Sequence, residues 1–388
     1  MSVNLFEASQ QWQTRPADQR FESLDALYAY CQAMRDNAAT STINMNRLRA
    51  EPAGAELALV GETGQRASLT HWSFGQLANR IGAPADYLRG LPLDLAAENV
   101  NHGLAHRTSG KGVMLLDRQT DGMQCRAFTS DDYSRIWSAE LVSRLLPLPE
   151  QGWQIPPARP ARMDAPGARQ ATAADCLRSS QLNSSLAIKP GDWISPAGLY
   201  ASDRDLFAFM VNEERRIEDG SAGGLSRGFF CTNSEVGAAS LRFTSFLYRA
   251  VCGNHIVWGA KNVRELRIVH RGSADRRFGY QLQCELRKYA DQSASQDELR
   301  IEQTKKCVLG ATKDEVLDLL FGKKILPMKS LERAYEYAID EADRHAAGSP
   351  KTAWGMAQGL TRLSQDSPNA DRRNEIDRAA GKILDLAF

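Results

Sequence analysis

Residues 231–258 read Cys-Thr-Asn-Ser-Glu-Val-Gly-Ala-Ala-Ser-Leu-Arg-Phe-Thr-Ser-Phe-Leu-Tyr-Arg-Ala-Val-Cys-Gly-Asn-His-Ile-Val-Trp. How this stretch folds decides the architecture around it. Asn233 or Ser234 can cap a helix, and Glu235 would sit in the first turn, where the helix dipole favours a carboxylate. Phe243, Phe246 and Leu247 are spaced to share one helical face. The spacing predicts a helix from Ser234 or Glu235 to about Cys252, with Asn254 tolerating left-handed geometry at its end.

Strands are expected on both sides of that helix. Phe207, Phe209 and Val211 alternate with Ala208 and Met210, as in a half-buried strand over Leu206 to Val211. Gly198 to Tyr200 and Arg227 to Cys231 read as its neighbours, with Gly220 to Gly224 as a turn. Downstream, His255 to Trp258, Arg264 to His270 and Tyr280 to Leu286 are further strand candidates.

Earlier in the chain, Ser23 caps a predicted helix that reaches Asn37 and presents Leu24, Leu27, Tyr28 and Cys31 on one face. Leu57 to Val60 reads as a short strand. Thr70 opens a helix to about Ile81, stopped by Gly82 and Pro84. Gly112 to Arg118 and Gln124 to Phe128 flank Asp121-Gly122 as a β-hairpin. Thr129 to Asp132 is read as the start of a helix carrying Ile136, Trp137, Leu141 and Leu145. Residues 151–174 are rich in Pro, Ala and Arg and read as a linker or long surface loop. After Asp291 the pattern is helical: Thr312 and Glu315 form a capping box, Ser330 precedes an amphipathic run to Ala347, and Ile376, Ala379, Ile383 and Leu386 mark a last helix. The expected fold is α+β, a mixed or antiparallel sheet with packed helices and a helical C-terminal region. The expected organisation is an N-terminal α+β region (1–150), the linker (151–174), an α+β core (175–290) and the C-terminal helices (291–388).

The chain has 388 residues, long enough for a sizeable core, and 48 Lys plus Arg nearly balance 47 Asp plus Glu. Overall charge therefore selects no partner. The seven cysteines are scattered without a CxxC pair, which fits a reducing cytosol better than a disulfide framework. No apolar run approaches the length of a membrane span.

The stretch opened above resembles the signature of domain of unknown function 932, the phage/plasmid-like protein family: an Asn-Ser-Glu-Val-Gly turn followed by a Cys-x-Asn-x-x-Val segment. Here Asn233, Ser234, Glu235, Gly237, Cys252 and Asn254 carry it. Two upstream pieces are similar to the same family. One is Gln76-Leu77-Ala78 with Gly82-x-Pro84 and Tyr87-Leu88-x-x-Leu91-Pro92; the other is Arg126-Ala127-Phe128-Thr129-Ser130-x-x-Tyr133. The resemblance spans roughly residues 65–290. It implies a mobile-element protein in a bacterial cytoplasm and implies no activity.

Charge distribution is more informative than charge balance. Between Arg242 and Lys288 there are ten cationic residues and three acidic ones, interleaved with aromatic rings. A groove for single-stranded nucleic acid needs cations for phosphates and flat rings for bases. Arg242, Arg249, Lys261, Arg264, Arg267, Arg271, Arg276 and Arg277 are the candidate phosphate contacts, with Trp258 and Tyr280 for stacking. The segment Arg271 to Phe278 reads as a short polar phosphate-binding loop. The competing reading is a solvated face whose arginines pair with carboxylates. The leading expectation is a non-enzymatic DNA-binding protein, preferring single strands, that assists recombination or replication as a homo-oligomer without cofactor or metal. A nucleic-acid-processing enzyme built on Asp203, Asp205, Glu235 and His255 is an alternative, as is a module that uses the C-terminal helices to inhibit a host defence protein. No phosphate-loop, nucleophile-elbow or HExxH motif is present.

Overall fold

A computed structural model describes residues 19–54, 56–108, 110–120, 122–165, 167–182, 188–196, 198–218, 224–249, 254–256, 266–291, 294–345, 348–367 and 370–388. It is an α+β protein built on two main sheets. β1 (Gln19–Phe21) leads into α1 (Leu24–Asn37), whose first turn is capped as predicted by the Ser23 hydroxyl accepting from the Ala26 N–H at 3.1 Å.

The N-terminal sheet contains β2 (Ala38–Asn44), β3 (Arg49–Ala53), β4 (Glu56–Val60), β5 (Arg66–Leu69), β6 (Lys111–Gln119) and β7 (Gly122–Thr129), in the order β2-β6-β7-β5-β4-β3. The predicted hairpin is β6–β7. Between β5 and β6 lie α2 (His71–Arg80), α3 (Ala85–Arg89) and α4 (Leu93–Arg107). Their apolar stripe, including Leu77, Leu88, Val100 and Leu104, buries against Leu59, Leu116 and Phe128 of the sheet. Thr70 caps α2 by accepting from Ser73. The helix expected from Thr129 starts later, as α5 (Ser138–Leu145). Residues 130–137 instead form a turn and an extended segment against the rest of the protein.

Within the segment expected as a linker, β8 (Trp153–Gln154), β9 (Arg159–Pro160) and β10 (Arg169–Gln170) form. β8 pairs with the second main sheet and buries Trp153. After α6 (Ala173–Leu182), β11 (Trp193–Ser195) joins β9 and β10 in a small sheet.

The second main sheet contains β12 (Leu199–Ala201), β13 (Leu206–Ile217), β14 (Leu225–Asn233), β15 (Leu241–Arg249), β16 (Asn254–Ile256) and β17 (Leu266–Ile268). Its order among the described residues is β1-β12-β13-β14-β15-β16, with β8 on β13 and β17 on β15. Over residues 234–249, the described part of the predicted helix, the chain is therefore a tight turn and a strand. β15 runs in register with β14 from Thr232↔Arg242 to Ser226↔Tyr248. The reason is two-sided burial. Leu241 and Phe243 face a core with α1, α5 and Phe229, while Phe246 faces the opposite side beside Phe209 and Phe230. A strand covered on both faces has no clean alternation, and its apolar residues can fall at helical spacing by chance.

α7 (Ala274–Ala290) packs on the α1 and α5 side of this sheet through Ala274, Phe278, Leu282 and Leu286. It replaces the predicted strand at 280–286 and all but residues 271–273 of the predicted loop at 271–278. Buried positions at 274, 278, 282 and 286 recur every four residues, which is one helical face. The C-terminal helices are α8 (Ala294–Lys306), α9 (Lys313–Gly322), α10 (Met328–His345), α11 (Ala353–Gln365) and α12 (Ala370–Leu384). They build their own core around Trp354, Leu331, Leu320 and Ile383, joined by Ile217, Leu225 and Leu247 of the sheet. The capping box at the start of α9 forms: Thr312 accepts from Glu315 N–H at 3.2 Å, and the Glu315 carboxylate accepts from Ala311 N–H at 2.7 Å. Among the described residues, no helix is long and apolar enough to cross a membrane.

Candidate nucleic-acid interface

In the Asn233–Gly237 turn, Asn233 to Val236 are buried, and upstream residues hold most of the polar groups. Glu235 receives Arg126 on one carboxylate oxygen and the Ser138 N–H, at 2.7 Å, on the other. Arg126 also lies 3.4 Å from Asp117, so one guanidinium serves two buried carboxylates. Arg135 donates to the Glu235 carbonyl. Trp72 and Gln76 both donate to the Val236 carbonyl, at 3.0 and 2.8 Å. Tyr133 donates to the Ser234 carbonyl at 2.8 Å, and Asn233 donates to Ile136 at 2.9 Å. Gly237 has φ +80°, left-handed backbone that an L side chain rarely adopts, which is the physical need for glycine there.

Burial shifts the ionisations around this node. Desolvation raises the Asp117 carboxyl and the Tyr133 phenol and lowers the Arg135 guanidinium. Next to it, His270 stacks on Tyr133 with ring centroids 5.0 Å apart. Burial lowers the His270 imidazole to about 4, with Nδ1 3.1 Å from the Ser134 carbonyl. Gln76, Arg126, Tyr133 and the Asn233–Gly237 turn come from the three sequence pieces quoted for the family resemblance, so those pieces meet in one place. Their contacts make the node a structural clasp between the two main sheets.

The proposed carboxylate cluster divides. Asp203, Asp205 and Glu235 line one small cleft with Arg126 and Tyr30. Two of the three are engaged there: Glu235 as described, and Asp205 by the Ser202 hydroxyl at 2.8 Å. Residue 255 pairs with residue 248, six positions along β15 from residue 242, which lies opposite residue 232 beside the turn. At about 3.4 Å per residue that is roughly 20 Å, too far for shared chemistry with Glu235. Among the described residues, no group of three or more His, Cys, Asp or Glu is arranged to hold a metal.

The candidate arginines fall into separate groups. Residues 252, 258, 261 and 264 lie outside the described residues, so Cys252, Trp258, Lys261 and Arg264 cannot be placed. Of Arg249, Asn254 and His255 only the backbone is described. Arg242 and Arg267 are register partners on β15 and β17, and both donate to the Ser240 hydroxyl, at 3.3 and 3.1 Å. They alternate with Leu241, Phe243, Leu266 and Ile268, which pack toward α7, so they project from the other face. Arg271 pairs with Asp132 at 3.3 Å on the surface.

Arg276 and Arg277 stand on α7 itself. Among the described residues neither has a carboxylate within ion-pair distance, and Arg277 donates only to the Ser273 carbonyl. Arg276, Tyr280, Gln283 and Arg287 are spaced along α7 as one exposed ridge, and Tyr280 is 76% exposed. Arg277 and Lys288 flank this ridge, with Lys288 held by Glu285 at 2.8 Å.

Arg287 entered the sequence reading only through the charge of its window, and two further contributors were not among the sequence candidates. Arg144 of α5 reaches over Gly279, whose missing side chain leaves room for the guanidinium, the nearest atom lying 3.4 Å from where a Cβ would stand. Gln283 reads in sequence as an ordinary strand residue and is placed by the helix. The gap left by Gly279 in an otherwise amphipathic run was the only signal for Arg144.

A model of the family described as domain of unknown function (DUF932) matches residues 185–380, just over half of the chain. The chain belongs to that family. The match takes in the Asn233–Gly237 turn, α7 and most of the C-terminal helices. It leaves Gln76, Arg126 and Tyr133 outside, although they grip the turn. No curated protein and no solved structure matches the chain in the two other comparisons made.

Proposed function

We propose that this protein is a nucleic-acid-binding accessory, favouring single-stranded DNA in recombination or replication, and that the strand lies along the exposed face of α7. The observation that carries this reading is one ridge on which Arg276, Tyr280 and Arg287 follow one another, with Arg276 and Arg277 unpaired among the described residues. Phosphates need cations that no carboxylate already occupies, and bases need a ring that solvent can reach. Tyr280 offers that ring. Arg144 widens the basic strip from the neighbouring helix. The carboxylate-based enzyme reading is weaker, because Glu235 is committed to Arg126 and Ser138, and residue 255 sits at the other end of the sheet.

The test is fluorescence anisotropy of a labelled oligonucleotide against the full-length protein at low salt, with unlabelled duplex as competitor. Binding should favour the single strand, and Arg276→Glu/Arg277→Glu should weaken it at least about tenfold, the equivalent of one lost charged contact. No binding by the folded wild-type protein, or equal binding by the double variant, removes the proposal.

A further inference from the structure

α4 carries a pair of side chains that strand binding leaves unused. His102 and His106 lie four residues apart near its C-terminal end, and both are exposed. Residues at that spacing stand one above the other on a single helix face.

Packing on the opposite side fixes which face this is. Ala96, Ala97, Val100 and Leu104 join the core of the N-terminal sheet. Gly103 comes so close to α2 that a Cβ there would stand 2.6 Å from the Ile81 side chain. The Asn101 side chain accepts from the Ala50 N–H at 2.7 Å and donates to the Ala50 carbonyl at 2.9 Å, which pins α4 to β3. The helix cannot roll without breaking these contacts, so the two imidazoles are held outward on a rigid element.

Their rings stand with centroids 4.6 Å apart and planes tilted by 45°. A metal ion bonded at about 2.0–2.1 Å to one nitrogen of each ring lies about 3.2 Å from each ring centre, and an angle of about 90–110° at the metal then needs centroids roughly 4.5–5.2 Å apart. The observed spacing falls inside that range. Among the described residues neither imidazole hydrogen-bonds to the protein, so coordination displaces no existing contact. The surroundings also favour a cation. His106 is in the last turn of α4, where unsatisfied carbonyls carry partial negative charge. Glu98, exposed one turn before His102, puts a carboxylate on the same side. Arg107, next in the chain, is drawn over Gly82, its Nη1 3.5 Å from where a Cβ would stand.

We propose that His102 and His106 chelate one divalent transition-metal ion of the nickel, copper and zinc group. Neutral imidazole suits these ions, whereas magnesium and calcium seek oxygen donors. Among the described residues no group of three or more His, Cys, Asp or Glu is arranged to hold a metal, so the pair supplies two ligands and water supplies the rest. The intervening Gly103-Leu104-Ala105 lacks the glutamate that stands between the paired histidines of hydrolytic zinc helices, so the pair is a binding site without a built-in general base. The site rests on no part of the reading of α7.

The experiment is calorimetric titration of the full-length protein with nickel chloride, with zinc chloride and magnesium chloride run in parallel. The expected result is one nickel ion per chain, displaced by zinc, and no magnesium binding at the same site. His102→Ala and His106→Ala should each weaken nickel binding at least about tenfold, since losing even a supporting partner of a metal ligand costs 10–100-fold. Both positions are exposed, and metal-free unfolding curves of the two variants should overlay that of wild type. Absence of nickel binding by folded protein overturns the proposal, as does magnesium binding as tightly as nickel. Nickel affinity unchanged in either variant overturns it too, because the two rings would then not share the ion. The titration contains no nucleic acid, so its outcome and that of the oligonucleotide experiment are scored separately.

Discussion

Arg126 and Arg276 carry the same guanidinium in two regions that use it oppositely. Arg126 is buried beneath the signature turn, shared by Asp117 and Glu235, while Arg135, Tyr133, Gln76 and Trp72 secure the turn's carbonyls. Arg276 stands on the outer face of α7 with no carboxylate partner among the described residues and an exposed tyrosine one turn away. The difference is one of desolvation. A buried charge must be paired, because the penalty for leaving it alone is severe, so the charges of the turn are spent on holding two sheets together. An exposed unpaired charge costs the fold little and stays available to a phosphate. The sequence signature marks the clasp, and the function proposed above sits on the neighbouring helix.

The largest expected effect comes from breaking the clasp. Glu235→Ala leaves Arg126 with Asp117 alone and strips the Ser138 N–H of its acceptor; a loss of about 3–5 kcal/mol in unfolding free energy is expected. Urea denaturation measures it, and a loss under about 1 kcal/mol would mean that the node is not the structural centre described here.

A pH dependence sharpens the same side of the comparison. His270 has its imidazole lowered to about 4 in the fold, against about 6.5 in an unfolded chain. As pH falls below about 6.5 the unfolded chain takes up a proton that the folded chain refuses. Stability present above that pH is lost progressively down to about 4. Denaturation midpoints at pH 7.5 and 5 should show the drop, and His270→Gln should flatten it; an equally steep acid limb in that variant assigns the effect to other groups.

On the exposed side, Tyr280→Ala should lower single-strand affinity by about 1–3 kcal/mol, the range for one stacked base, while leaving the unfolding curve in place. Unaltered affinity would exclude Tyr280 from the interface. The smallest effect expected is on the stability of Arg276→Glu/Arg277→Glu. With no ion pair lost and only the long, exposed bond from Arg277 to the Ser273 carbonyl removed, its unfolding free energy should stay within about 0.5 kcal/mol of wild type. A larger fall in urea denaturation would mean that these arginines are structural after all.

Much of the fold was legible in the sequence, where local signals and burial agreed. Ser23, Thr70 and Thr312 cap helices as their side chains and spacing require, and the β6–β7 hairpin follows its alternation. Reading failed where burial on two sides hides periodicity. In β15 the pair Phe243 and Phe246 faces opposite cores, yet their separation by three imitates a helix. In α7, Tyr280, Leu282, Cys284 and Leu286 imitate a strand, although only Leu282 and Leu286 of these are core positions, together with Phe278. The candidate site was legible in part. The arginine-rich window between 242 and 288 takes in α7, read from the sequence as a loop and a strand, and the two faces of the sheet separate Arg242 and Arg267 from Arg276 and Arg277. Arg144 comes beside α7 only through tertiary packing, which no local pattern announces.

The most direct test of the central claim, that α7 presents unpaired cations to a phosphate backbone, is the salt dependence of single-strand affinity in wild-type and Arg276→Glu/Arg277→Glu protein. Logarithmic affinity should fall linearly with logarithmic salt, and the double variant should lose about 1.4 from the slope, at roughly 0.7 for each phosphate contact removed. A wild-type affinity indifferent to salt, or an identical slope in the two proteins, would contradict the account.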